Sequence, residues 1–397
     1  MSLIAVEQAQ AILQASAQLS MGTQSVALEH ALNRVVAEDQ VATVDVPPAP
    51  NSAMDGYAFA FADIESGTRT FKVSQRIPAG TSPHPLAPGT AVRLFTGAPL
   101  PEGADVVVMQ ENCEAADGKV TVVEAPVRAG AFVRQTGSDI GRGARIIEAG
   151  TRLKPQHLGI LASIGIQSVS VYRKPRVAVF STGDELVMPG QPLAPGQIYN
   201  SNRYLLAGLL TDLGCEVDNL TAVADTHEAT VAALKEGANA DAIISTGGVS
   251  VGEEDHVTNA LAELGELNMW KLNIKPGKPF AYGNIDGTPF FGLPGNPVSV
   301  FVTFMLLVKP NLQIMQGATD LELLRLPARA AFDWPRPASR QEYLRGRLQS
   351  NGEVLQVELF ESQDSAVLSS VAWSDCLVEL KPKQSVKAGD SVVCLLV

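Results

Sequence analysis

The chain lacks the residue patterns that mark the commonest metal centres and covalent catalytic sites. No CxxC pair or nearby histidine accompanies Cys113, Cys215, Cys376 or Cys394, so we expect reduced core cysteines rather than zinc ligands or disulfides. The five histidines form no HxH or HExxH pattern, and no Ser-His-Asp or Cys-His arrangement stands out. Nucleophilic catalysis by a side chain is therefore disfavoured, and catalysis by positioning and electrostatics is favoured.

Long apolar runs and blocks of like charge are also missing. The longest apolar run, near Val298–Val308, is about 11 residues, which is too short to span a bilayer. The N-terminal sequence MSLIAVEQAQ shows no basic region ahead of an apolar stretch, so we expect no signal peptide and a cytoplasmic protein. A net charge of −12 argues against general binding of nucleic acid or of an anionic membrane, because both need a positive surface.

What the chain does have is a folded composition, with 46% apolar and 18% charged residues over 397 positions. That length predicts more than one domain. Helical spacing of apolar residues predicts helices at 3–19 and 25–38, and a further apolar-periodic segment at 155–165 is expected to return to them. We therefore assign 1–45 with 140–174 to a helical and linker domain. Short β-branched runs between Gly, Pro and Asp-Gly turns predict a β domain at 46–139, inserted into the first.

From residue 175 to 318 the pattern alternates between strands and helices. Strands are predicted at 176–181, 216–223, 242–246, 269–274 and 289–292, and helices from Ser201, at 227–237, 255–264 and 298–315. This alternation predicts a three-layer α/β domain with a parallel or mixed sheet and a ligand site at the carboxyl ends of the strands. Residues 325–397 contain short strands at 354–360, 376–380 and 391–396, which predict a small C-terminal β barrel. The fold class is thus multidomain α/β plus β.

Four glycine-containing segments of the α/β domain lie where its strands are predicted to end. They read FSTGDEL (180–186), ISTGGVSVGEED (244–255), WKLNIKPGKPF (270–280) and FFGLPGNPVSVF (290–301). Backbone N–H groups at such glycine turns and at helix N-termini can hold a phosphate or another oxyanion. Any one of these segments could equally be a tight turn without a ligand. Their spacing as successive strand ends favours one shared site.

Acidic and basic residues divide this predicted site into two parts. Glu185, Asp225 and Asp255 stand at three neighbouring strand ends and could hold a hard cation such as Mg²⁺, although each could also cap a turn or helix. Lys271 and Lys275 share one face of an extended segment, and the Pro-Gly turn redirects Lys278. These lysines suit an oxyanion; the alternative is a solvated sheet edge. The remaining candidates for substrate binding are the loop residues Gly247, Gly248, Ser250, Pro294, Pro297 and Ser299.

The segments NSAMDGYA, TGAPLPEGADVVVMQE, FSTGDEL, STGGVSVGEED, WKLNIKPGKPF and GLPGNPVS, in this order and spacing, closely resemble the MoeA family of molybdopterin molybdenumtransferases, which is related to the gephyrin E domain. The resemblance implies insertion of molybdate into adenylyl-molybdopterin, with hydrolysis that releases molybdenum cofactor and AMP. It implies Mg²⁺ at Glu185, Asp225 and Asp255. It also implies contacts of Lys275, Lys278, Ser299, Arg345 and Ser365 with molybdate or the pterin phosphate.

By the same resemblance, Asp55, Thr96 and Asp139 of the β domain are catalytic positions that reach the cleft of the other subunit of a homodimer. Transient contact with other proteins of molybdenum cofactor biosynthesis is expected as well. Two alternatives remain open. One is a molybdopterin adenylyltransferase, because the α/β domain also resembles that family. The other is a catalytically silent scaffold with the same fold.

Overall fold

The computed structural model describes residues 3–126, 128–220, 223–249, 256–335, 338–352 and 354–397. Residues 3–45 contain β1 (Leu3–Ile4), α1 (Val6–Ser16), β2 (Thr23–Ala27), a 3₁₀ turn (Leu28–His30) and β3 (Gln40–Val41). The apolar stripe of α1 buries Val6, Ala9 and Leu13. Although the sequence groups these residues with the first domain, α1 packs into the core of the α/β domain. Its apolar residues recur at positions 3 and 4 apart, which places them on one face of the helix.

Residues 46–139 form a β domain around its own apolar cores. Its elements are β4 (Asn51–Ser52), β5 (Gly56–Phe59), α2 (Phe61–Glu65), β6 (Thr70–Ile77), β7 (Thr90–Leu94), β8 (Val106–Met109), a 3₁₀ turn (Gln110–Asn112), β9 (Cys113–Ala116), β10 (Lys119–Val122) and β11 (Val133–Arg134). The larger sheet has the strand order β8-β5-β7-β6-β10-β9. Val46 and Ile140 pair with each other, so the chain leaves for this domain and returns from it at one place.

The predicted helix at 25–38 is wrong. After the β domain, the chain returns to the first domain with β12 (Arg145–Ile147), α3 (Pro155–Ser163) and β13 (Ser168–Tyr172). β2 pairs with β13 and β3 pairs with β12, both antiparallel. The 25–38 segment has apolar residues at helical spacing. The backbone N–H and C=O groups of β2 nevertheless bond to β13, a strand more than 100 positions later, instead of to each other within a helix. Tertiary contact overrides the local helical pattern here.

The α/β domain follows in chain order. Its elements are β14 (Arg176–Ser181), β15 (Leu186–Val187), β16 (Ile198–Tyr199), α4 (Ser201–Asp212), β17 (Glu216–Asn219), α5 (His227–Gly237), β18 (Ala242–Thr246), α6 (His256–Leu264), β19 (Glu266–Leu272), β20 (Ile274–Lys275), β21 (Pro279–Ile285), β22 (Thr288–Leu293), α7 (Pro297–Thr303), a π-helical turn (Phe304–Val308) and α8 (Lys309–Met315). The sequence makes Ser201 a plausible N-cap of α4, but Asn200 is the cap, because its side chain accepts the Arg203 N–H at 3.1 Å.

The main sheet has the strand order β1-β19-β21-β22-β18-β14-β17. β17, β14, β18 and β22 are mutually parallel, whereas β21 is antiparallel to both of its neighbours. The prediction of a mixed sheet is therefore confirmed. β19 consequently runs in the same direction as β22. β1 is parallel to β19, so the carboxyl ends of six strands meet at one edge, and β21 begins there.

The apolar helical stretch Pro297–Met315 fills the centre of this domain. It is long and apolar enough to cross a membrane, but 89% of it is buried within the protein. It packs against α1 on one side and the sheet on the other, as part of the largest apolar core. We therefore interpret Pro297–Met315 as a core helix of the α/β domain.

The C-terminal part closes into a barrel. Its elements are β23 (Arg325–Ala330), β24 (Gln341–Asn351), β25 (Val354–Leu359), α9 (Leu368–Trp373), β26 (Cys376–Leu380) and β27 (Ser391–Leu396). Successive pairings run β24-β25-β23-β27-β26 and return to β24, which confirms the predicted barrel. β20 leaves the α/β domain to pair with β24. The barrel is thereby joined to the carboxyl edge of the main sheet.

Candidate active site

Three of the glycine-containing segments are hydrogen-bonded to one another at the carboxyl edge. The Thr182 N–H donates to Thr246 O at 3.3 Å, and the Gly247 N–H donates to Leu293 O at 3.1 Å. These bonds join FSTGDEL to STGG and STGG to GLPG. The predicted gathering of these loops at neighbouring strand ends therefore follows from the sheet order.

Gly247 and Gly248 allow this close approach. Both have positive φ, +86° and +63°, a region that L residues with side chains rarely adopt. A Cβ on Gly247 would lie 2.9 Å from Thr182 O, and one on Gly248 would lie 2.5 Å from Val257 Cγ2. The glycines are thus required by packing between the loops, whether or not their N–H groups also face a ligand.

The acidic part of the site centres on Asp184 and Asp225. The Asp225 N–H donates to Asp184 Oδ1 at 3.4 Å, which joins the loops that follow β14 and β17. Glu185 is exposed, and its carboxylate lies against Gly183, where an added Cβ would be 2.6 Å from Oε2. Two of the predicted residues, Asp255 and Ser250, lie outside the described residues. Asp184, which the sequence predicts either as a cation ligand beside Glu185 or as a cap of the turn, is the acid whose carboxylate accepts the Asp225 N–H.

The acidic part of the site has carboxylate donors that suit magnesium, but it does not supply a complete set of protein ligands for the ion. Among the residues that the structure describes, no three His, Cys, Asp or Glu side chains are grouped closely enough to hold a metal ion. Magnesium is typically held by one or two carboxylates together with substrate phosphates and water. Asp184 and Glu185 are adjacent in one loop, and the backbone of Asp225 bonds to that loop, so the carboxylates carried by these loops suit a cation that arrives with an anionic substrate.

The basic part of the site is a hairpin at the end of β19. Lys271 pairs with Pro279 across β19 and β21, and the Leu272 N–H donates to Lys278 O at 2.7 Å. Lys275 and Lys278 are exposed, and Lys271 is half-buried. Four strand spacings separate β14 from β19, which at about 4.8 Å each puts the acidic and basic parts about 19 Å apart.

Lys275 makes an ion pair that its local sequence does not indicate. Its Nζ donates to Glu342 Oε1 at 3.1 Å. The Glu342 side chain is 3% exposed, whereas that of Lys275 is 46% exposed. The pair forms because Lys275 and Glu342 are register partners in β20 and β24.

The barrel also contributes a segment that covers the start of α7. Asn296 Nδ2 donates to Ser365 Oγ at 2.9 Å, and the Val298 N–H donates to Ser365 O at 3.1 Å. Pro297 occupies the first turn of α7, where a missing N–H costs nothing. Ser299 is buried in the same turn, and Pro294 is buried in the preceding loop. The structure thus brings Ser365 together with the predicted GLPGNPVS residues.

Arg345 lies beneath this segment, with no exposed surface. Its Nε donates to Ser370 Oγ at 3.0 Å, and its two terminal nitrogens donate to the carbonyls of Tyr343 and Asp364. Burial lowers the pKa of the guanidinium to about 10. In this conformation Arg345 supports the segment that carries Ser365, and its contact with a ligand stays a prediction.

The predicted residues of the β domain stand apart from this edge within the chain. Asp55 Oδ1 accepts hydrogen bonds from the Thr96 N–H at 2.7 Å and from Thr96 Oγ1 at 2.8 Å. These bonds lower the pKa of the Asp55 carboxyl. Asp139 is exposed, and its N–H donates to Val46 O. In the described part of the chain, no hydrogen bond or ion pair joins these three residues to the α/β domain or the barrel.

Comparison with known proteins agrees with this architecture. Residues 4–165 match the MoeA N-terminal region (domain I and II), residues 178–314 a probable molybdopterin binding domain, and residues 327–397 the MoeA C-terminal region (domain IV). The chain is 39% identical over 376 residues to the molybdopterin molybdenumtransferase of Haemophilus influenzae, covering 93% of each chain. The chain belongs to the MoeA family of molybdopterin molybdenumtransferases.

Further relatives of this MoeA-family protein support both sequence and fold. A molybdopterin molybdenumtransferase of Nostoc is 39% identical over 343 residues, covering 82% of this chain and 77% of its own. The crystal structure of a molybdopterin biosynthesis MoeA protein from Pyrococcus horikoshii matches with a TM-score of 0.85 at 29% identity, covering 100% of both chains. The resemblance read from the loop segments is confirmed, and the protein is an enzyme of molybdenum cofactor biosynthesis.

Two residues of this MoeA-family site escape sequence reasoning. Glu342 lies in a strand that the sequence does not predict, and its neighbour Lys275 is 67 positions away. The sequence marks Asn296 only as a turn residue, although its side chain holds Ser365. Neither residue stands in a pattern typical of a site, so only the strand pairing between β20 and β24 and the docking of the barrel reveal them.

Proposed function

We propose that this enzyme inserts molybdate into adenylyl-molybdopterin in a Mg²⁺-dependent reaction that hydrolyses the phosphoanhydride and releases molybdenum cofactor and AMP. The observation that carries the proposal is the meeting of a carboxylate junction and a lysine hairpin on one sheet edge, in a chain of this family. A small anion cannot contact two groups about 19 Å apart. An extended, nucleotide-bearing substrate can.

The two parts of the site have different chemical tasks in this proposal. Asp184, Glu185 and Asp225 would hold Mg²⁺ beside the phosphoanhydride, where the cation offsets the negative charge of the phosphates. Carboxylates at this end also determine the orientation in which the substrate binds, because they repel a phosphate that arrives without a cation. Lys275, Lys278 and Ser299 of α7 would bind molybdate, a tetrahedral dianion, through ammonium and hydroxyl donors.

A homodimer would complete the site in this proposal. Asp55 and Thr96 form a preorganised carboxylate–hydroxyl pair on the β domain, but within the chain nothing described joins them to the sheet edge. A second copy could present this pair to the cleft.

Mixing inactive Asp55→Asn and Asp225→Asn chains under conditions of subunit exchange should then restore activity, since each heterodimer contains one intact site. No recovery despite verified heterodimers would contradict shared sites.

The reaction itself is tested with purified protein, adenylyl-molybdopterin, Mg²⁺ and molybdate. We expect AMP release that depends on both molybdate and Mg²⁺. Release of AMP without molybdate would contradict coupling of hydrolysis to insertion. Consumption of ATP with unmodified molybdopterin would instead support the adenylyltransferase alternative. Binding of the substrates with neither reaction would support the scaffold.

A further inference from the structure

Glu342 is a buried carboxylate at the mouth of the barrel, and its described neighbours all donate to it. Oε1 accepts from Lys275 Nζ at 3.1 Å, and Oε2 accepts from Trp334 Nε1 at 2.9 Å and from the Ala338 N–H at 3.4 Å. An ionised carboxylate only accepts hydrogen bonds, so it matches a set of donors on both oxygens. A glutamine could satisfy Lys275 or Trp334, but its amide nitrogen would face a donor on the other side.

These contacts fix Glu342 rather than leaving it free to follow Lys275. The Trp334 ring is partly buried and packs against the barrel core, and the Ala338 N–H belongs to the backbone. The strand pairing adds a further restraint, because the Gln341 N–H donates to Asn273 O at 3.0 Å and Arg340 donates to Ile274 O at 2.8 Å. The position of Glu342 is therefore set by the barrel and by the β20–β24 junction.

Lys275 retains donors for a ligand despite this pair. An ammonium group has three N–H donors, and the described contacts of Lys275 use one of them. Its side chain is 46% exposed beside the edge where Lys278 and the GLPG loop lie. The buried carboxylate thus anchors one side of the ammonium and leaves the other side open. A free lysine would have to lose the rotamer freedom of its four-carbon stem on binding an anion.

We propose that Glu342 is a positioning residue that holds the Lys275 ammonium in the orientation that binds the oxyanion substrate. The inference rests on the proposed function, since molybdate is the oxyanion concerned. It opposes the simpler expectation that a carboxylate next to a lysine merely neutralises it. The two roles predict opposite changes in anion affinity when Glu342 is replaced. Removal of a neutralising charge tightens anion binding, whereas removal of a positioning contact weakens it.

Glu342→Gln therefore separates the two effects. We expect the KM for molybdate and the Kd for molybdate without pterin to rise about tenfold, as for loss of one charge-assisted contact, with a smaller change in kcat. Lys275→Met should raise both constants at least as much. The double variant should match Lys275→Met alone, because Glu342 acts through that lysine. An unchanged or lowered Kd for Glu342→Gln, or additive effects in the double variant, would overturn the proposal.

Glu379→Gln is the matched control, since Glu379 is also a mostly buried barrel carboxylate but pairs with Arg325 and bonds to Gln341 instead. It should leave molybdate binding unchanged. If Glu342→Gln does not fold, Trp334→Phe removes one anchor of the carboxylate and should raise the Kd by a smaller factor; no rise would count against the proposal. Molybdate binding by calorimetry tests Glu342 even if the wild type releases no AMP, so failure of the proposed function is recognised separately.

Discussion

Gly247→Ala tests whether contact between the loops holds the site together. The backbone of Gly247 has φ +86°, and an added Cβ would lie 2.9 Å from the carbonyl oxygen of Thr182. Positive φ costs an L residue about 1 kcal/mol, and forcing a methyl group into a packed contact costs about 1–3 kcal/mol. We therefore expect the free energy of unfolding to fall by about 2–4 kcal/mol.

Gly287→Ala isolates the two contributions. Gly287 has φ +92° in the turn between β21 and β22, but a Cβ added there would meet no atom within 4 Å, so this variant should lose only about 1 kcal/mol. Urea unfolding of both variants, followed by circular dichroism and tryptophan fluorescence, measures the difference.

AMP release gives the second measurement. The Thr182 carbonyl precedes the loop of Asp184 and Glu185, so a displaced carbonyl should move the acidic part of the site. Gly247→Ala should consequently lose far more activity than Gly287→Ala. Equal losses of stability and of activity in the two variants would refute the argument, because only the backbone conformation would then matter.

Three further predictions concern single groups. Asp225→Asn should lower AMP release by more than about 100-fold without loss of the fold, because the acidic junction loses a carboxylate for Mg²⁺. Asp218→Asn, at a half-buried acid of β17 that pairs with Arg176 instead, is the control. For Asp241, burial would raise the pKa, but bonds from Arg173 and from the Arg176 N–H outweigh it and hold the pKa below 3.8. Asp241→Asn should cost about 1 kcal/mol at pH 7, a difference that disappears as the pH falls below 3.8. Burial raises the pKa of the Cys215 thiol to about 12, so this thiol should resist a disulfide reagent at pH 8 until urea unfolds the chain.

Each of these three predictions has a result that would contradict it. Near-normal turnover of Asp225→Asn would remove Asp225 from the acidic part of the site. A stability difference between wild type and Asp241→Asn that persists unchanged at pH 2 would contradict the lowered pKa. The sign follows from linkage: a carboxyl whose pKa is lowered by folding stabilises the protein above its unfolded pKa and loses that effect as protons bind. Rapid labelling of Cys215 in the native state would show that its burial is incomplete.

Much of the α/β domain could be predicted because its signals are local. The run RVAVFS predicts β14 at its observed bounds, and helix α5 coincides with the predicted 227–237. Apolar periodicity over ten or more residues identifies such elements without knowledge of their partners. Glycines and prolines then mark their ends. The edge where these loops meet follows from the parallel alternation alone.

Other elements depend on distant partners and could not be read locally. The apolar spacing around β2 predicts a helix, yet the β2 backbone pairs with β13. β24, the strand that carries both Glu342 and Arg345, has no local strand signal, since QEYLRGRLQS mixes charged and apolar residues. The barrel supplies the partners that make this segment a strand.

The sequence by itself determined which chemistry the loops can support, because glycine, carboxylate and lysine have their properties wherever they lie. It also determined the family, through motifs in a fixed order. Only the tertiary structure decided that Asp184 is the neighbour of Asp225, that Glu342 anchors Lys275, and that Ser365 lies on the start of α7. Those contacts join residues 41 to 69 positions apart, and strand order and barrel docking, rather than any local pattern, set such distances.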